Sequence, residues 1–280
     1  MSGRPSPFTS CKRTPSAPRE VLSMMCSFHG ADEPAMVATR KNDRQIPLMK
    51  QPCIWTHAVN HASMRFAICF LAAVRVCTAE VADPDPGRFA KAIAKFADHD
   101  KASPPPKGGI VFTGSSSIRL WDLNKWFPKL KPLNRGFGGA HFSDSNHYLE
   151  QTVLKYEPSI VVVFNGSNDV WNKKPPMQVL EDFREFRDRI LKRTPKCRLM
   201  VLPVKPSPKR VSIIEAEKAL NALLKSEAEK DARIIFVGAA FEVLMKGEQP
   251  DASLFDEDML HLNEKGYERW VKLVRPLLKN

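Results

Sequence analysis

The chain has 280 residues, 43% of them hydrophobic, with 43 Lys+Arg against 31 Asp+Glu for a net charge of +12. That hydrophobic content suits a soluble globular protein, and the length permits one or two domains. The charge sits early: residues 1–79 hold ten Lys+Arg and four Asp+Glu, so residues 80–280 keep 33 and 27, about +6. That later part has no dense basic tract and no interleaving of aromatic and basic residues, which argues against a nucleic-acid partner.

Residues 1–63 are rich in Ser, Pro, Arg and Lys and show no sustained periodicity. They read as a disordered tail or as an over-extended frame with translation starting at Met64. From Met64 the sequence runs "MRFAICFLAAVRVCTAEV". Arg65 is a short basic head, residues 66–74 are apolar, and Cys77-Thr78-Ala79 offers small residues before Glu80. This is the pattern of a signal peptide over 64–79, with a secreted or periplasmic product. An apolar run that Arg75 ends after nine residues falls far short of the roughly 18 to 20 that span a bilayer, so stable membrane insertion is not expected. Val74-Arg75-Val76 also lacks the small residue a lipoprotein site needs before Cys77. Five of the six cysteines precede residue 80; Cys197, alone beyond it, can form neither an internal disulfide nor a zinc site. No metal or cofactor is expected, and the sequence leaves the oligomeric state open.

The folded domain is expected over 83–280. Phe89, Ile93 and Phe96 share one face of a helix over 86–98, which "ASPPPKGG" breaks. Ile110-Val111-Phe112-Thr113 is a short buried strand, and a second strand ends near Asn134, followed by the loop "RGFGGAH". Helical spacing runs through Leu149, Val153 and Tyr156. "SIVVVFN" (159–165) is a β-branched run typical of a strand covered on both faces. Pro175-Pro176 open a helix with Val179, Phe183, Phe186 and Ile190 inward. "RLMVLPV" is a fourth strand, "IIEAEKALNALL" a helix and "ARIIFVG" a fifth strand. After a loop of roughly 20 residues, Asn263 caps a last helix with the stripe Tyr267, Trp270, Val271, Val274 and Leu278. Strands alternating with helices predict one three-layer α/β/α domain around a parallel five-stranded sheet.

Three familiar motifs nearly fit and fail. Gly109 to Ser116 reads G-x-x-x-x-G-S-S, but a P-loop needs Lys where Ser115 stands. "GFGG" lacks the spacing of a dinucleotide fingerprint and follows the second strand. No serine is flanked as G-x-S-x-G. Four other blocks fall at expected carboxyl-edge loops: Gly114-Ser115-Ser116, Gly139 in "NRGFGGAHF", Gly166 to Asp169 in "NGSND", and Asp258…His261 in "DMLH". Their order Ser, Gly, Asn, Asp-x-x-His resembles the SGNH hydrolase family, also called GDSL-type esterases and lipases. "GSSSIRLW" and "VKPSPKR" resemble a bacterial branch of it.

The resemblance implies a flavodoxin-like sheet of order 2-1-3-4-5 and hydrolysis of carboxylic esters. It implies Ser116 as nucleophile, His261 as base and Asp258 as its orienter. The oxyanion donors are the N–H groups of Ser116 and Gly139 and the Asn168 amide. Ser115 stands where the family has Asp, which weakens the signature without moving the nucleophile. Physically, a serine hydroxyl needs an imidazole to take its proton, and the imidazole needs a carboxylate to fix its tautomer. The expected substrate is a small ester, lipid or acylated sugar: lysophospholipase-like or short-chain acyl hydrolysis, with carbohydrate deacetylation or a catalytically silent binding module as alternatives.

Several residues admit a plainer reading. Trp121 and Trp171 either cover the cleft or serve packing. Arg119, Lys205, Lys209 and Arg210 meet an anionic substrate or form a solvated basic edge. Ser117 caps the turn after the nucleophile, and Asp169 is a local hydrogen-bonder. A second Asp-x-x-His, Asp144…His147, is expected to be a helix start with Ser143 or Asp144 as N-cap, its histidine away from the site.

Overall fold

The computed structural model describes residues 80–279. The expected signal peptide (64–79) and the segment 1–63 lie outside the described residues. Five strands form the main sheet: β1 (Ile110–Gly114), β2 (Leu133–Gly136), β3 (Ile160–Phe164), β4 (Arg198–Val201) and β5 (Ile234–Phe236). All neighbours pair parallel, in the order β2-β1-β3-β4-β5. The fold is the three-layer α/β sandwich that the element order implies.

The strands alternate between two cores because successive side chains point to opposite faces. Val111, Val161, Val163, Leu199 and Val201 enter one core, with α5 (Pro176–Arg193) and α6 (Ile214–Ala228) packed on it. Phe112, Ile160, Val162, Phe164 and Met200 enter the other, against Tyr267, Trp270, Val271 and Val274 of α7 (Glu264–Val274). β3 is buried along its whole length, which is why its sequence reads as an unbroken apolar run. A smaller third core forms where Ile93 and Phe96 of α1 (Ala90–Ala102) pack over Phe137, Ala140 and Tyr148. It braces the loop after β2.

Three elements depart from expectation. The helical spacing through Leu149, Val153 and Tyr156 is carried by a helix over Leu149–Thr152 and a 3-10 turn over Leu154–Tyr156, broken at Val153. The first helix starts as a 3-10 turn over Pro86–Phe89 and runs on to Ala102. The long loop before α7 contains a small antiparallel hairpin, Met245–Lys246 against Gln249–Pro250. Shorter helices begin directly at three strand ends or loops: α2 (Ser116–Arg119), α3 (Phe142–His147) and α4 (Ser167–Trp171).

Gly114 makes the first of these turns possible. It has φ +120°, and a Cβ there would lie 2.1 Å from the carbonyl oxygen of Phe164, which accepts the Ser115 N–H at 3.0 Å. Only glycine combines that backbone with that approach. Gly114→Ala should therefore cost at least about 3 kcal/mol in urea denaturation. Gly109→Ala, where a Cβ meets only Pro106 O at 3.8 Å, should stay within about 0.5 kcal/mol of wild type. Equal costs would show that the close approach does not set the turn.

Candidate active site

Ser115 is extended (φ −87°, ψ −159°) and Ser116 is the first residue of α2, so the chain turns sharply between strand and helix. The half-buried Ser116 presents Oγ 2.9 Å from Nε2 of His261. His261 Nδ1 lies 2.5 Å from Oδ2 of Asp258. Asp258 Oδ1 also accepts the N–H groups of Leu260 and His261, each at 2.9 Å, and Met259 between them takes φ +55°. The Asp258–His261 segment is thus a self-bonded turn that fixes carboxylate and imidazole together. Burial works to raise the Asp258 pKa, but the two backbone donors and the His261 ring outweigh it and hold the carboxyl well below its usual range. With that carboxylate at Nδ1, the proton sits on Nδ1 and the Nε2 lone pair faces the serine hydroxyl.

Donors gather on the other side of Ser116. Its N–H heads α2, where the first amides of a helix have no intrahelical acceptor. Gly139 is exposed, at φ +86°, and its N–H has no acceptor among the described residues. Asn168, in the first turn of α4, donates one Nδ2 proton to Ala140 O at 3.0 Å, leaving the second free. Tyr267 of α7 donates to Ser117 O at 2.8 Å, tying the helix after the histidine turn to the helix that carries the serine.

The GDSL-like Lipase/Acylhydrolase family model matches residues 120–269, more than half of the chain. The chain belongs to this family. The matched span contains Gly139, Asn168, Asp258 and His261 and begins just after the serine block. No curated protein matches the chain. Among solved structures, one described as a platelet activating factor from Streptococcus pneumonia is 18% identical, with TM-score 0.61, covering 79% of this chain and all of its own. One described as an acylhydrolase from Bacteroides fragilis is 19% identical, with TM-score 0.57, covering 70% of this chain and 98% of its own. A GDSL-like lipase from Bacteroides thetaiotaomicron is 19% identical, with TM-score 0.55, covering 69% and 97%. These likenesses show a shared fold; the family makes the protein a carboxylic ester hydrolase.

This GDSL-like hydrolase supports its loops from beneath with buried polar groups. Asn165 donates to Ser145 Oγ at 2.7 Å and His141 O at 3.2 Å. Asp169 accepts the Phe142 N–H at 3.1 Å, the local role expected of it, and burial pushes its carboxyl up to about 7. His141 Nε2 accepts from Asn172 Nδ2 at 2.9 Å. Asp144 lies in the first turn of α3, where it accepts the His141 N–H at 2.8 Å and pairs with Arg88 at 2.5 Å. The N-cap of that helix is therefore His141, not Ser143 or Asp144. His147 is exposed, at the last position of α3.

Other expectations need correction. Trp121 is 1% exposed and packs among Phe112, Phe127, Tyr267 and Trp270, so it is core and does not line the pocket beside Ser116. Trp171 remains 42% exposed at the end of α4. Ser117 lies inside α2 and caps nothing, because Ser115 holds the N-cap position. Lys205 and Arg210 are buried, not part of a solvated edge, while Arg119 and Lys209 are exposed. Lys205 Nζ donates to Leu260 O beside the histidine, and burial pushes it down to about 7. Glu217, also buried, was passed over in the sequence. It stands on the same apolar stripe as Leu220 and Leu224 of α6, and a carboxylate at such a helical position is the available signal.

His141 gives this network a pH signature. Burial, the largest influence, and the Arg88 charge lower its pKa to about 4, against about 6.5 in an unfolded chain. The folded state keeps the ring neutral, so stability is lost as pH falls from about 6.5 towards 4. His141→Gln should cost stability at pH 7.5, and that cost should shrink by about 2 to 3 kcal/mol by pH 4.5. Urea denaturation of both proteins across this range checks it; a cost that does not change with pH contradicts it.

Proposed function

We propose that this protein hydrolyses short-chain acyl esters through an acyl-enzyme on Ser116. The observation that carries the reading is the unbroken chain from Ser116 Oγ through His261 to Asp258, with three donors opposite. Ser116 Oγ attacks the ester carbonyl carbon while His261 Nε2 takes its proton. The resulting oxyanion is met by the N–H groups of Ser116 and Gly139 and by the free Nδ2 proton of Asn168. The imidazolium then gives its proton to the leaving alcohol oxygen, and Asp258 stabilises the charge in the meantime. Water repeats the attack with His261 as base and releases the acid.

Dimensions of the site support a small acyl group. The half-open pocket beside Ser116 has a cavity volume of about 10 Å³ and is walled by Phe164, Ser167, Lys205 and Leu260. A short acyl group suits that space better than a long chain. The alcohol side is open, with Trp171, Val211 and Met259 exposed on the segments that bear Asn168, Arg210 and His261. The apolar run at residues 66–74 supports export of the protein, so that such esters would be met outside the cytoplasm.

Ser116→Ala should lower kcat on p-nitrophenyl acetate by at least about 10³, whereas Ser115→Ala and Ser117→Ala should stay within about tenfold of wild type. Across p-nitrophenyl esters, kcat/KM should fall steadily from acetate to octanoate. Loss in Ser117→Ala with activity kept in Ser116→Ala would move the nucleophile by one residue. A rise towards octanoate would exclude the small acyl site.

A further inference from the structure

The segment Lys205 to Arg210 follows β4 and runs beneath the site, and the reaction scheme above gives it no part. Arg210 is buried, with 9% of its surface exposed. Its Nη2 donates to Asn168 Oδ1 at 3.1 Å. Its Nη1 donates to Ser167 O at 3.0 Å and to Ser167 Oγ at 3.2 Å. The planar guanidinium thus spans two neighbouring residues of α4 at once, which a lysine ammonium at one point cannot do. Its outer face packs 5.0 Å from the Trp171 ring, so three of the five residues of α4 rest on this one side chain.

The consequence lies in the orientation of one amide. Asn168 has an oxygen and a nitrogen of nearly equal shape, and only its hydrogen-bond partners decide which faces where. Arg210 offers only donors, so it must face Oδ1. Ala140 O offers only an acceptor, so it must face Nδ2. Both contacts select the same rotamer, and that rotamer leaves the second Nδ2 proton available beside Ser116. If the amide turned over, Oδ1 would sit against the Ala140 carbonyl and Nδ2 against the guanidinium, with a lone pair facing the developing oxyanion. Without Arg210 the Ala140 contact alone would have to hold the amide.

A buried carboxyl group acts on Arg210 through its charge. Glu217 is fully buried on α6, close to the Ser167 hydroxyl that Arg210 also contacts. The charges of Lys205 and Arg210 act on it. Burial, the largest influence, pushes that carboxyl up to about 8, and the two cations oppose the shift. Two further contacts run from the same segment to the histidine turn: Lys205 Nζ to Leu260 O, and Lys209 N–H to Met259 O at 3.0 Å. One stretch of chain therefore touches both the donor side and the base side of the site.

We propose that Arg210 is a positioning residue for the oxyanion site, acting through Asn168 by fixing which end of its side-chain amide faces the substrate oxygen. This rests on the esterase reading above. It predicts that Arg210 matters for catalysis only while Asn168 is present.

A double-mutant cycle on p-nitrophenyl acetate tests this, with melting temperature recorded for every variant. Losing an oxyanion donor costs about 10² to 10³ in kcat; Asn168→Ala should fall in that range. Arg210→Gln should lower kcat about 10- to 100-fold, with KM changed by less than about threefold, and should have less than about threefold effect in the Asn168→Ala background. Independent, multiplying losses would overturn the proposal, as would full kcat in a folded Arg210→Gln. Should Arg210→Gln fail to fold, Arg210→Lys keeps the charge and most of the volume and supplies the same cycle. The Asn168 side-chain NH₂ resonances, identified by their disappearance in Asn168→Ala, give a readout that needs no turnover. They should shift and exchange faster with water in Arg210→Lys; unmoved signals would overturn the proposal whatever the kinetics. A wild-type protein that hydrolyses nothing would instead sink the esterase reading.

Discussion

The contact between Ser116 Oγ and His261 Nε2 joins residues 145 positions apart, and most of the fold is arranged so that it can form. No local sequence preference brings those atoms together. The parallel sheet does so, because its carboxyl edge puts the end of β1 beside the loops that follow β2, β3 and β4. Helix α7 must also lie against the sheet face that carries Phe112 and Phe164. Trp270 is fully buried there and donates Nε1–H to Ala240 O at 2.8 Å. Its neighbour Tyr267 reaches the backbone of the serine helix. The final helix is thereby fixed relative to the serine loop, and the short turn from Asp258 to His261 needs only to close on itself.

Charge distribution follows from the same geometry. Among the described residues near the cleft, Lys205, Arg210, Glu217, His141 and Asp169 are buried, a costly set in a domain of this size unless the groups serve each other. Burial moves each in the direction of its neutral form: Lys205 and His141 downward, Glu217 and Asp169 upward. Asp258 is the contrast. It is exposed yet held ionised by two backbone N–H groups and the imidazole. The anion beside the His261 imidazole is thus kept where water and amides stabilise it, and the buried groups lie beneath the loops.

Much of this was legible from the residues alone, for identifiable reasons. The strands are buried on both faces, so β3 wrote itself as Ile-Val-Val-Val-Phe, and Pro175-Pro176 marked the start of α5 because proline suits a first helical turn. Asn263 was readable as a cap, and its Oδ1 accepts the Gly266 N–H at 3.2 Å. The order of serine, glycine, asparagine, aspartate and histidine at successive loop ends carried the site. What escaped was either short or long-range. Helices of four or five residues, such as α2 and α4, hold too little sequence to show a period. Trp121 follows the serine loop, and only the packing of Phe112, Phe127, Tyr267 and Trp270 around it shows that it points inward. Lys205 and Arg210 looked like surface charge because basic side chains seldom lie buried. The buried carboxyl that acts on them, Glu217, belongs to a different element.

The most direct test of the central claim is to trap the nucleophile. A p-nitrophenyl phosphonate should bond through phosphorus to Ser116 Oγ and release p-nitrophenolate. Intact mass should then show one adduct per chain, peptide mapping should place it on Ser116, and His261→Ala should label far more slowly. An active protein that takes no adduct, or takes it on Ser115, Ser117 or elsewhere, would contradict the account.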